Sequence, residues 1–447
     1  MQGLRVAIVG SGPSGMYAAD ALTSQDEMPV SVDVIDALPV PFGLVRYGVA
    51  PDHLSIRSVR DTLDKVLDKP QVRFIGNVEI GRDVQVQELH DYFDAIIFTY
   101  GASRDRRLGI EGEDLDGSVA ATDFVAWYCG HPDADRATFE RLVPSATSAV
   151  VVGVGNVAVD VTRVLAKTVD ELNHTDMPQH VLDTLGRSQI TDIHVLGRRG
   201  PAQATFTTKE LRELGELADA DIIVDPAEVV LDAASEALVA SDKAVARNVE
   251  VIRGWAERTP TGKRRRIHLR FLARPVSLAG EDRVREVTVE ATELDGRGGV
   301  RGTGRMSTLA ADLVVRSVGY RGTALPGVPF DAQGNVIPHV DGRVVRDGVV
   351  VPGEYVAGWI KRGPTGIIGT NKKDAAASVA SLLADAATLP AAPQASPESF
   401  DTFLQQRGID VVPTAGWRAI DVAERALGTS YGRDRTTIHE RSGLLAV

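Results

Sequence analysis

The sequence of 447 residues has little cysteine, no long hydrophobic run and no excess of positive charge. Its single cysteine, Cys129, excludes an intramolecular disulfide, a cysteine-based zinc site and a cysteine-ligated iron–sulfur cluster within this chain. No apolar run reaches the roughly 18 residues of a membrane span, and no charged-then-apolar leader precedes the first predicted strand. The net charge of −12 disfavours nucleic acid as the main partner. These absences predict a cytoplasmic protein with no metal site and no membrane insertion.

The length predicts two domains, because a single compact core rarely accommodates so many residues. Hydrophobic residues make up 43% and charged residues 25%, as in ordinary globular proteins. We expect the first domain over residues 1–105 and the second over residues 106–320. Residues 354–359 resemble a last strand of the first domain, so residues 321–447 are predicted to return to it and to end in a helical tail.

Two glycine fingerprints each follow an apolar run. The first is Gly10-Ser11-Gly12-Pro13-Ser14-Gly15, and the second is Gly153-Val154-Gly155-Asn156-Val157-Ala158. Each is typical of a strand, a tight turn and a helix start, which together lay a dinucleotide pyrophosphate on the helix N-terminus. One such match is weak, but two at strand–helix junctions indicate two bound dinucleotides. That layout is typical of a flavoenzyme reduced by a nicotinamide.

The residue that ends the second strand of each fingerprint unit distinguishes the two nucleotides. Asp36 ends the strand after Gly15, where a carboxylate can accept both hydroxyls of an adenosine ribose, as in FAD or NAD. The corresponding strand over residues 192–196 ends instead in Arg198 and Arg199. Two permanently charged guanidinium groups favour a ribose 2′-phosphate and therefore NADP(H), with a solvated arginine pair in a turn as the alternative.

A capping-box pattern and a glycine-rich turn complete the set of motifs. Thr207 and Glu210 have the capping-box spacing, so a helix is predicted to start there, and Glu213 lies one turn further on the same face. Residues 358–374 combine four glycines with a predicted helix start. Unpaired backbone N–H groups at that start would stabilise negative charge near N1 and O2 of a reduced flavin.

Taken together, these motifs resemble the NADPH–ferredoxin reductases of the adrenodoxin-reductase-like family. The matching stretches occur in the family's order at residues 9–14, 42–53, 153–160, 197–201, 206–213, 316–320 and 358–373. The resemblance implies an α/β glutathione-reductase-like fold of two Rossmann-like dinucleotide-binding domains, with the NADP domain inserted into a discontinuous FAD domain. It also implies FAD and NADP(H) as cofactors, a ferredoxin as electron acceptor and a monomeric protein.

The resemblance also assigns roles to individual residues. The implied FAD contacts are Gly10, Gly12, Ser14, Gly15, Asp36, Leu44, Val78, Trp359, Gly366, Ile367 and Ile368. The implied NADP contacts are Arg106, Gly153, Gly155, Asn156, Val157, Arg198, Arg199, Glu210 and Gly366. His53 and Glu213 match the catalytic pair that lines the nicotinamide–flavin junction. Asp36 stands where relatives more often have Glu, and Tyr47 stands where a smaller residue is expected beside the flavin.

The implied reaction passes a hydride from NADPH to FAD and then single electrons to ferredoxin. The single cysteine excludes the thioredoxin- and lipoamide-type branches, which need a redox cysteine pair, and disfavours a glutamate-synthase small subunit with its own clusters. Two alternatives stay open: an NADPH oxidase or quinone (diaphorase-type) reductase without a dedicated ferredoxin, and a non-catalytic FAD/NADP redox-sensing module. Because ferredoxins are usually acidic, we expect a basic docking face among Arg264–Arg266, Arg270, Lys361, Arg362, Lys372 and Lys373.

Overall fold

The computed structural model describes residues 3–447 and divides into two α/β units. The first unit combines the residues up to 104 with residues 320–447, and the second unit is the continuous segment 105–319. The second unit therefore interrupts the first in sequence. Each unit contains a parallel sheet with helices, so the predicted class of two Rossmann-like units, one inserted into the other, is confirmed.

The first segment contains the first four strands and the first five helices. Its elements are β1 (Leu4–Val9), α1 (Pro13–Thr23), β2 (Val30–Ile35), α2 (Leu44–Tyr47), α3 (Leu54–Arg57), α4 (Val59–Asp64), β3 (Val72–Gly76), α5 (Val86–Leu89) and β4 (Ala95–Phe98). The loop between β2 and α3 holds one helical turn, α2, which begins directly after the flexible Gly43 and the two prolines that precede it. Residues 54–68 form three short pieces, α3, α4 and a 3₁₀ turn at Lys65–Asp68.

The middle segment contains most of the remaining elements. They are β5 (Arg104–Asp105), β6 (Ser118–Ala120), α6 (Ala121–Tyr128), α7 (Arg136–Ser145), β7 (Ser148–Val152), α8 (Asn156–Ala166), α9 (Val169–Leu172), α10 (Gln179–Gly186), β8 (Asp192–Leu196), α11 (Thr208–Leu214), β9 (Ala220–Ile223), α12 (Ala233–Ser241), α13 (Lys243–Ala256), β10 (Arg265–Arg270), β11 (Ala273–Ala279), β12 (Glu286–Leu294), β13 (Val300–Ala310) and β14 (Leu313–Arg316). The strand β14 ends at Arg316, and Gly319, three residues later, has a positive φ of 104°, which is outside the strand region.

The last segment returns to the first unit. Its elements are β15 (Tyr320–Arg321), β16 (His339–Val340), β17 (Arg343–Arg346), β18 (Val349–Val356), α14 (Trp359–Arg362), α15 (Thr370–Asp385), α16 (Pro397–Gln406), β19 (Val412–Pro413), α17 (Thr414–Ser430) and α18 (Arg441–Leu445). Single 3₁₀ turns occur at Pro201–Gln203, Pro226–Val229 and Ala386–Thr388.

The sheet of the first unit has the order β16-β17-β18-β4-β1-β2-β3-β19. Its central strands run parallel from β18 to β3, and they are almost continuously apolar because both of their faces are buried. The carboxyl ends of β1, β2 and β18 lie at one edge of the sheet. The first glycine loop, Asp36 and the turn at Gly358 follow these three ends, so the fold gathers three sequence motifs at the edge where ligands bind in open α/β sheets.

The sheet of the second unit has the order β6-β14-β7-β8-β10-β9, and all its strands are parallel. The antiparallel sheet β11-β12-β13 packs against it, with Leu278 and Val287 among the residues that share a core with Val150 and Leu196. The neighbouring strands β7 and β8 end in the second glycine loop and in Arg198–Arg199. The fold therefore places the two halves of the predicted NADP motif side by side.

Two stacked histidines lie in the middle of this second sheet. His194 of β8 pairs in register with His268 of β10, with ring centroids 4.4 Å apart and ring planes 17° apart. Burial, chiefly, lowers the pKa of His194 to about 4; the nearby His268, Arg270 and Arg266 lower it further, and Asp192 opposes the shift. His194 is therefore neutral in the folded protein near neutral pH. Its protonation in acid is opposed by burial and by the nearby positive charges.

We expect His194 to make the second unit sensitive to acid. Its pKa in the fold lies below the value of about 6.5 in an unfolded chain, so its stabilising effect is complete above pH ~6.5 and is lost as the pH falls towards 4. His194→Gln should reduce the acid-induced loss of unfolding free energy by on the order of 1–3 kcal/mol. Urea unfolding at about pH 7 and about pH 4.5 measures it, with the exposed His174→Gln as control. An equal acid loss in wild type and His194→Gln would contradict the assignment.

Candidate functional site

The first glycine loop leaves a helix N-terminus open. Gly10 has φ 106°, and a Cβ there would lie 2.7 Å from the Tyr100 Cα; a Cβ on Gly15 would lie 2.0 Å from the Gly10 carbonyl oxygen. Both positions therefore require glycine. Gly12 differs, because a Cβ built on it meets no atom within 4 Å, and no side chain caps α1. The open space and uncapped N–H groups fit a pyrophosphate.

Asp36 braces this loop, a role that the sequence did not predict. Its Oδ2 accepts hydrogen bonds from the Ser11 backbone N–H at 2.8 Å and from the Ser11 hydroxyl, and its Oδ1 accepts one from the Leu38 N–H at 2.9 Å. Burial raises the pKa of the Asp36 carboxyl, against the lowering effect of these bonds. Each carboxylate oxygen has more than one acceptor site, so a ribose contact remains compatible with this geometry. Ser11 is the missed residue, and its place inside the fingerprint is the signal that could have found it.

A polar network joins the first glycine loop to the glycine-rich turn after β18. The Ser14 hydroxyl donates to Asn371 Oδ1 at 3.0 Å, and Arg362 donates to the same oxygen at 2.8 Å. Asp374 accepts from the Gly358 N–H and from Arg362. The N-terminal ends of α1 and α15 are therefore fixed to each other. Sequence reasoning named Ser14 but missed the structural roles of Asn371 and Asp374, although both lie inside the quoted motif.

The turn itself offers groups to a ligand. The indole Nε1–H of Trp359 is buried and makes no hydrogen bond with any residue in 3–447. Ile367 is 71% exposed, and Gly366 takes a positive φ of 83°. Ile368 accepts hydrogen bonds from Asn371 through its carbonyl oxygen. The indole N–H of Trp359, which has no partner within residues 3–447, lies in the turn that leads into α15. It fits a flavin-sized ligand that carries acceptor atoms.

The other predicted residues of the first unit are Val78, Leu44 and the catalytic candidate His53. Val78 is buried, and its N–H donates to the Asp36 carbonyl oxygen at 2.9 Å. Leu44 starts α2 directly after Gly43, whose built Cβ would lie 3.2 Å from the Gly12 Cα, so the structure brings this loop against the glycine loop. His53 is buried at the N-terminus of α3, with its N–H bonded to the Ala50 carbonyl oxygen.

The second glycine loop repeats the arrangement with different neighbours. A Cβ on Gly153 would lie 2.1 Å from the Ser317 carbonyl oxygen, and no side chain caps α8, which begins after Gly155. Asn156 accepts the Thr207 N–H at 2.8 Å, so the loop before α11 is bonded to the fingerprint. Val157 lies in the first turn of α8 and is partly buried. The loop therefore presents a second open helix N-terminus.

Arg198 and Arg199 follow β8 beside this second loop. Their carbonyl oxygens accept from the Thr292 hydroxyl at 2.7 Å and from the Leu272 N–H at 3.1 Å. Within residues 3–447 neither guanidinium makes a hydrogen bond or an ion pair, whereas many other arginines of this unit have carboxylate partners. Arg106 is also exposed, and its backbone N–H donates to the Gly319 carbonyl oxygen. Arg198 and Arg199 both have hydrogen-bonded backbones, and their guanidinium groups have no partner within residues 3–447. The pair therefore fits a phosphate group.

The predicted capping box at α11 is only half formed. The Thr207 side chain accepts the Glu210 N–H, but the Thr207 N–H goes to Asn156 instead of Glu210. Glu210 is buried, and its carboxylate accepts the Thr207 hydroxyl at 2.9 Å. The predicted capping box is therefore wrong in one of its two bonds. The Thr207 N–H donates to Asn156, which competes with Glu210 for it.

Glu213 has a local partner that the sequence did not reveal. Its carboxylate lies 3.8 Å from the guanidinium of the buried Arg163, which also pairs with Asp160 at 2.9 Å. Glu213 is partly exposed at an open cleft of about 400 Å³ lined by residues of α11 and by Arg247. The buried Arg163 guanidinium behind it helps to hold this carboxylate in place at the edge of the cleft.

Much of the predicted basic docking face is neutralised. Arg264 and Arg265 lie near Asp219, Arg266 pairs with Asp192, and Arg270 pairs with Glu228. Lys361 and Arg362 are largely buried and pair with Asp374. Six of the eight predicted cations are therefore bound to carboxylates of the same unit. Among the predicted set, only Lys372 and Lys373 are exposed and have no ion pair with any described residue.

In residues 3–447, no helix is both long and apolar enough to cross a membrane. The same residues contain no group of three or more His, Cys, Asp or Glu side chains placed to hold a metal ion.

Comparison with known proteins gives matches over the whole chain. Residues 4–194 match the family model of the pyridine nucleotide-disulphide oxidoreductases. The chain is 44% identical to the NADPH-ferredoxin reductase FprA of Mycobacterium tuberculosis strain H37Rv, covering 99% of this chain and 98% of the relative. It is 36% identical to the mitochondrial NADPH:adrenodoxin oxidoreductase of Arabidopsis thaliana, covering 99% and 95%.

A solved structure agrees with these sequence matches. Mycobacterium tuberculosis FprA in complex with NADPH superposes with a TM-score of 0.93 at 42% identity, covering 100% of this chain and 99% of that one. The match includes both units, so the glutathione-reductase-like class predicted from the motifs is confirmed. The chain belongs to the adrenodoxin-reductase-like family of NADPH–ferredoxin reductases.

Proposed function

We propose that this protein is an FAD-dependent oxidoreductase that transfers electrons from NADPH to a ferredoxin, an iron–sulfur protein. The observation that carries the proposal is the difference between its two dinucleotide sites. One glycine loop is followed by an acidic residue, Asp36, and the other by Arg198 and Arg199, whose guanidinium groups have no partner within residues 3–447. The family relationship supports the same assignment of the two nucleotides.

The first unit is the proposed FAD site. The pyrophosphate is assigned to the open space before Gly12 and the uncapped start of α1, with Gly10, Ser14, Gly15 and Asp36 around it. The flavin end is assigned to Leu44, Val78, Trp359, Gly366, Ile367 and Ile368. The support for Trp359 is its buried indole N–H, which lacks a partner within residues 3–447. The start of α15 would stabilise negative charge on a reduced ring.

The second unit is the proposed NADP(H) site. Gly153, Gly155, Asn156 and Val157 form the pyrophosphate turn. Arg198 and Arg199 would hold the 2′-phosphate. Arg106, Glu210 and, from the first unit, Gly366 are assigned as further contacts from the family pattern.

His53 and Glu213 are proposed to position the nicotinamide carboxamide and to supply electrostatic stabilisation or handle protons. Bound FAD would supply the chemistry, accepting two electrons as hydride and releasing them one at a time. No protein nucleophile is needed, because the chain's part is to align the two rings and exclude water. The carboxylate of Glu213 lies 3.8 Å from the Arg163 guanidinium, which supports a role in positioning the carboxamide.

The remaining proposals concern partner and state. We assign the ferredoxin contact to a surface that includes Lys372 and Lys373, the two cations of the predicted set that have no ion pair within residues 3–447. We also propose a monomer, as the family pattern suggests, and a cytoplasmic location.

Stopped-flow reduction of the purified protein tests the function. We expect a yellow protein whose flavin absorbance is bleached fast by NADPH and much more slowly by NADH. Turnover with ferredoxin should then follow. Bleaching by NADPH with turnover of quinones but not of ferredoxin would replace the acceptor assignment, and a colourless or unbleached protein would overturn the reductase assignment.

A further inference from the structure

The loop of residues 37–48 packs against the first glycine loop and contains a residue with a strained backbone. The Phe42 N–H donates to the Ser11 carbonyl oxygen at 3.1 Å, and Gly43 packs against Gly12. Phe42 itself has φ 84°, in a region that side chains other than glycine rarely adopt. Such a conformation persists only where the surroundings hold it, so the contacts behind this loop decide its shape.

A wholly buried carboxylate lies directly behind the loop. Glu424 of α17 is 0% exposed and accepts hydrogen bonds from the guanidinium of Arg46, from Arg435 at 2.7 Å and from the Ile438 N–H at 2.9 Å. Arg46 is 1% exposed, packs against the Tyr47 ring and belongs to the loop. Glu424 holds the pKa of Arg46 above its ordinary range, although burial acts in the opposite direction.

Two further contacts fix the same loop to the same C-terminal segment. The ring of Trp417 meets Phe42 edge-on, with centroids 5.6 Å apart and planes at 84°. Arg441 donates to the Ala37 carbonyl oxygen at 3.1 Å and to Asn77 Oδ1 at 2.6 Å. The loop is therefore held near both ends and at its strained middle residue.

We infer that four residues of the C-terminal segment, Trp417, Glu424, Arg435 and Arg441, the tail clamp, hold the loop of residues 37–48 in its FAD-binding conformation and that Glu424 is the principal positioning residue. The carboxylate is too costly to bury unless both arginines reach it, so it accepts Arg46 in one geometry only. That geometry sets the position of Gly43 and Phe42 against the glycine loop. Tyr47, unexpected beside a flavin, packs on the Arg46 side of this arrangement. The inference rests on the FAD site proposed above.

The test compares FAD affinity with the stability of the flavin-free protein. Deflavinated full-length chains are titrated with FAD, following quenching of flavin fluorescence, and their melting temperatures are recorded without FAD. We expect Glu424→Gln to weaken FAD binding about tenfold or more, and Arg441→Gln to weaken it several-fold. The matched control is Arg418→Gln, since Arg418 anchors the same helix to Asp64 and Asp68 instead of to the loop. It should bind FAD within about twofold of wild type.

A second variant covers the case in which Glu424→Gln does not fold. The double substitution Arg46→Met with Glu424→Met replaces the buried pair with apolar groups and should fold, but it should still bind FAD about tenfold more weakly. Unchanged FAD affinity in folded Glu424 and Arg441 variants would overturn the clamp, and so would an equal loss in Arg418→Gln. A wild-type chain that binds no FAD would instead overturn the proposed FAD site.

Discussion

Replacing Arg198 and Arg199 together by alanine is expected to abolish the preference for NADPH over NADH. Each charge-assisted hydrogen bond to a phosphate contributes about 1.5–3 kcal/mol, so the double variant should bind NADPH roughly 10²-fold more weakly. NADH binding should change little, because NADH has no 2′-phosphate. Stopped-flow bleaching over a range of NADPH and NADH concentrations measures both affinities.

The structure predicts that this loss comes without unfolding. Neither guanidinium makes a hydrogen bond or an ion pair with another residue in 3–447, so the melting temperature of the double variant should be close to that of wild type. Arg301→Ala is a suitable control, because Arg301 is an exposed arginine of the same unit that pairs with Glu293. An equal loss of affinity for both nucleotides, or no loss at all, would mean that the arginine pair is an ordinary surface turn.

Gly12→Val is expected to give a folded protein without flavin. Gly12 has extended backbone angles, φ −65° and ψ −178°, which valine adopts readily, and its built Cβ meets no protein atom within 4 Å. The valine side chain would occupy the space assigned to the pyrophosphate. We expect FAD binding to weaken by about 3 kcal/mol or more, which is a hundredfold or more. Absorbance spectra of the purified variant and FAD titration measure the loss.

Two other glycines complete this experiment. Gly15→Ala should damage the fold itself, because its Cβ would lie 2.0 Å from the Gly10 carbonyl oxygen. Gly254→Ala is the harmless control, since it lies within α13 and a Cβ there meets nothing within 4 Å; alanine should stabilise this helix by about 1 kcal/mol. A yellow Gly12→Val protein with normal FAD affinity would contradict the assignment of the pyrophosphate to this loop.

The sequence by itself determined the class of fold and the identity of the motifs. The apolar runs at β1 and β7, each followed by a fingerprint, predict the strand–turn–helix units because parallel strands buried on both faces must be almost wholly apolar. The contrast between Asp36 and the pair Arg198–Arg199 is also a local property, since a residue at a strand end is identified from the sequence alone.

Only the tertiary structure decided which charged groups are free and which side chains hold the sites in shape. Asp374, 12 or 13 residues along the chain, neutralises Lys361 and Arg362, and Asp192 neutralises Arg266 across neighbouring strands, so counting basic residues overestimated the docking face. Glu424 reaches Arg46 across 378 residues. The sequence fixes the charges but not their partners, because a pairing between distant residues forms only when sheet order and helix packing bring them together, and burial then sets its strength.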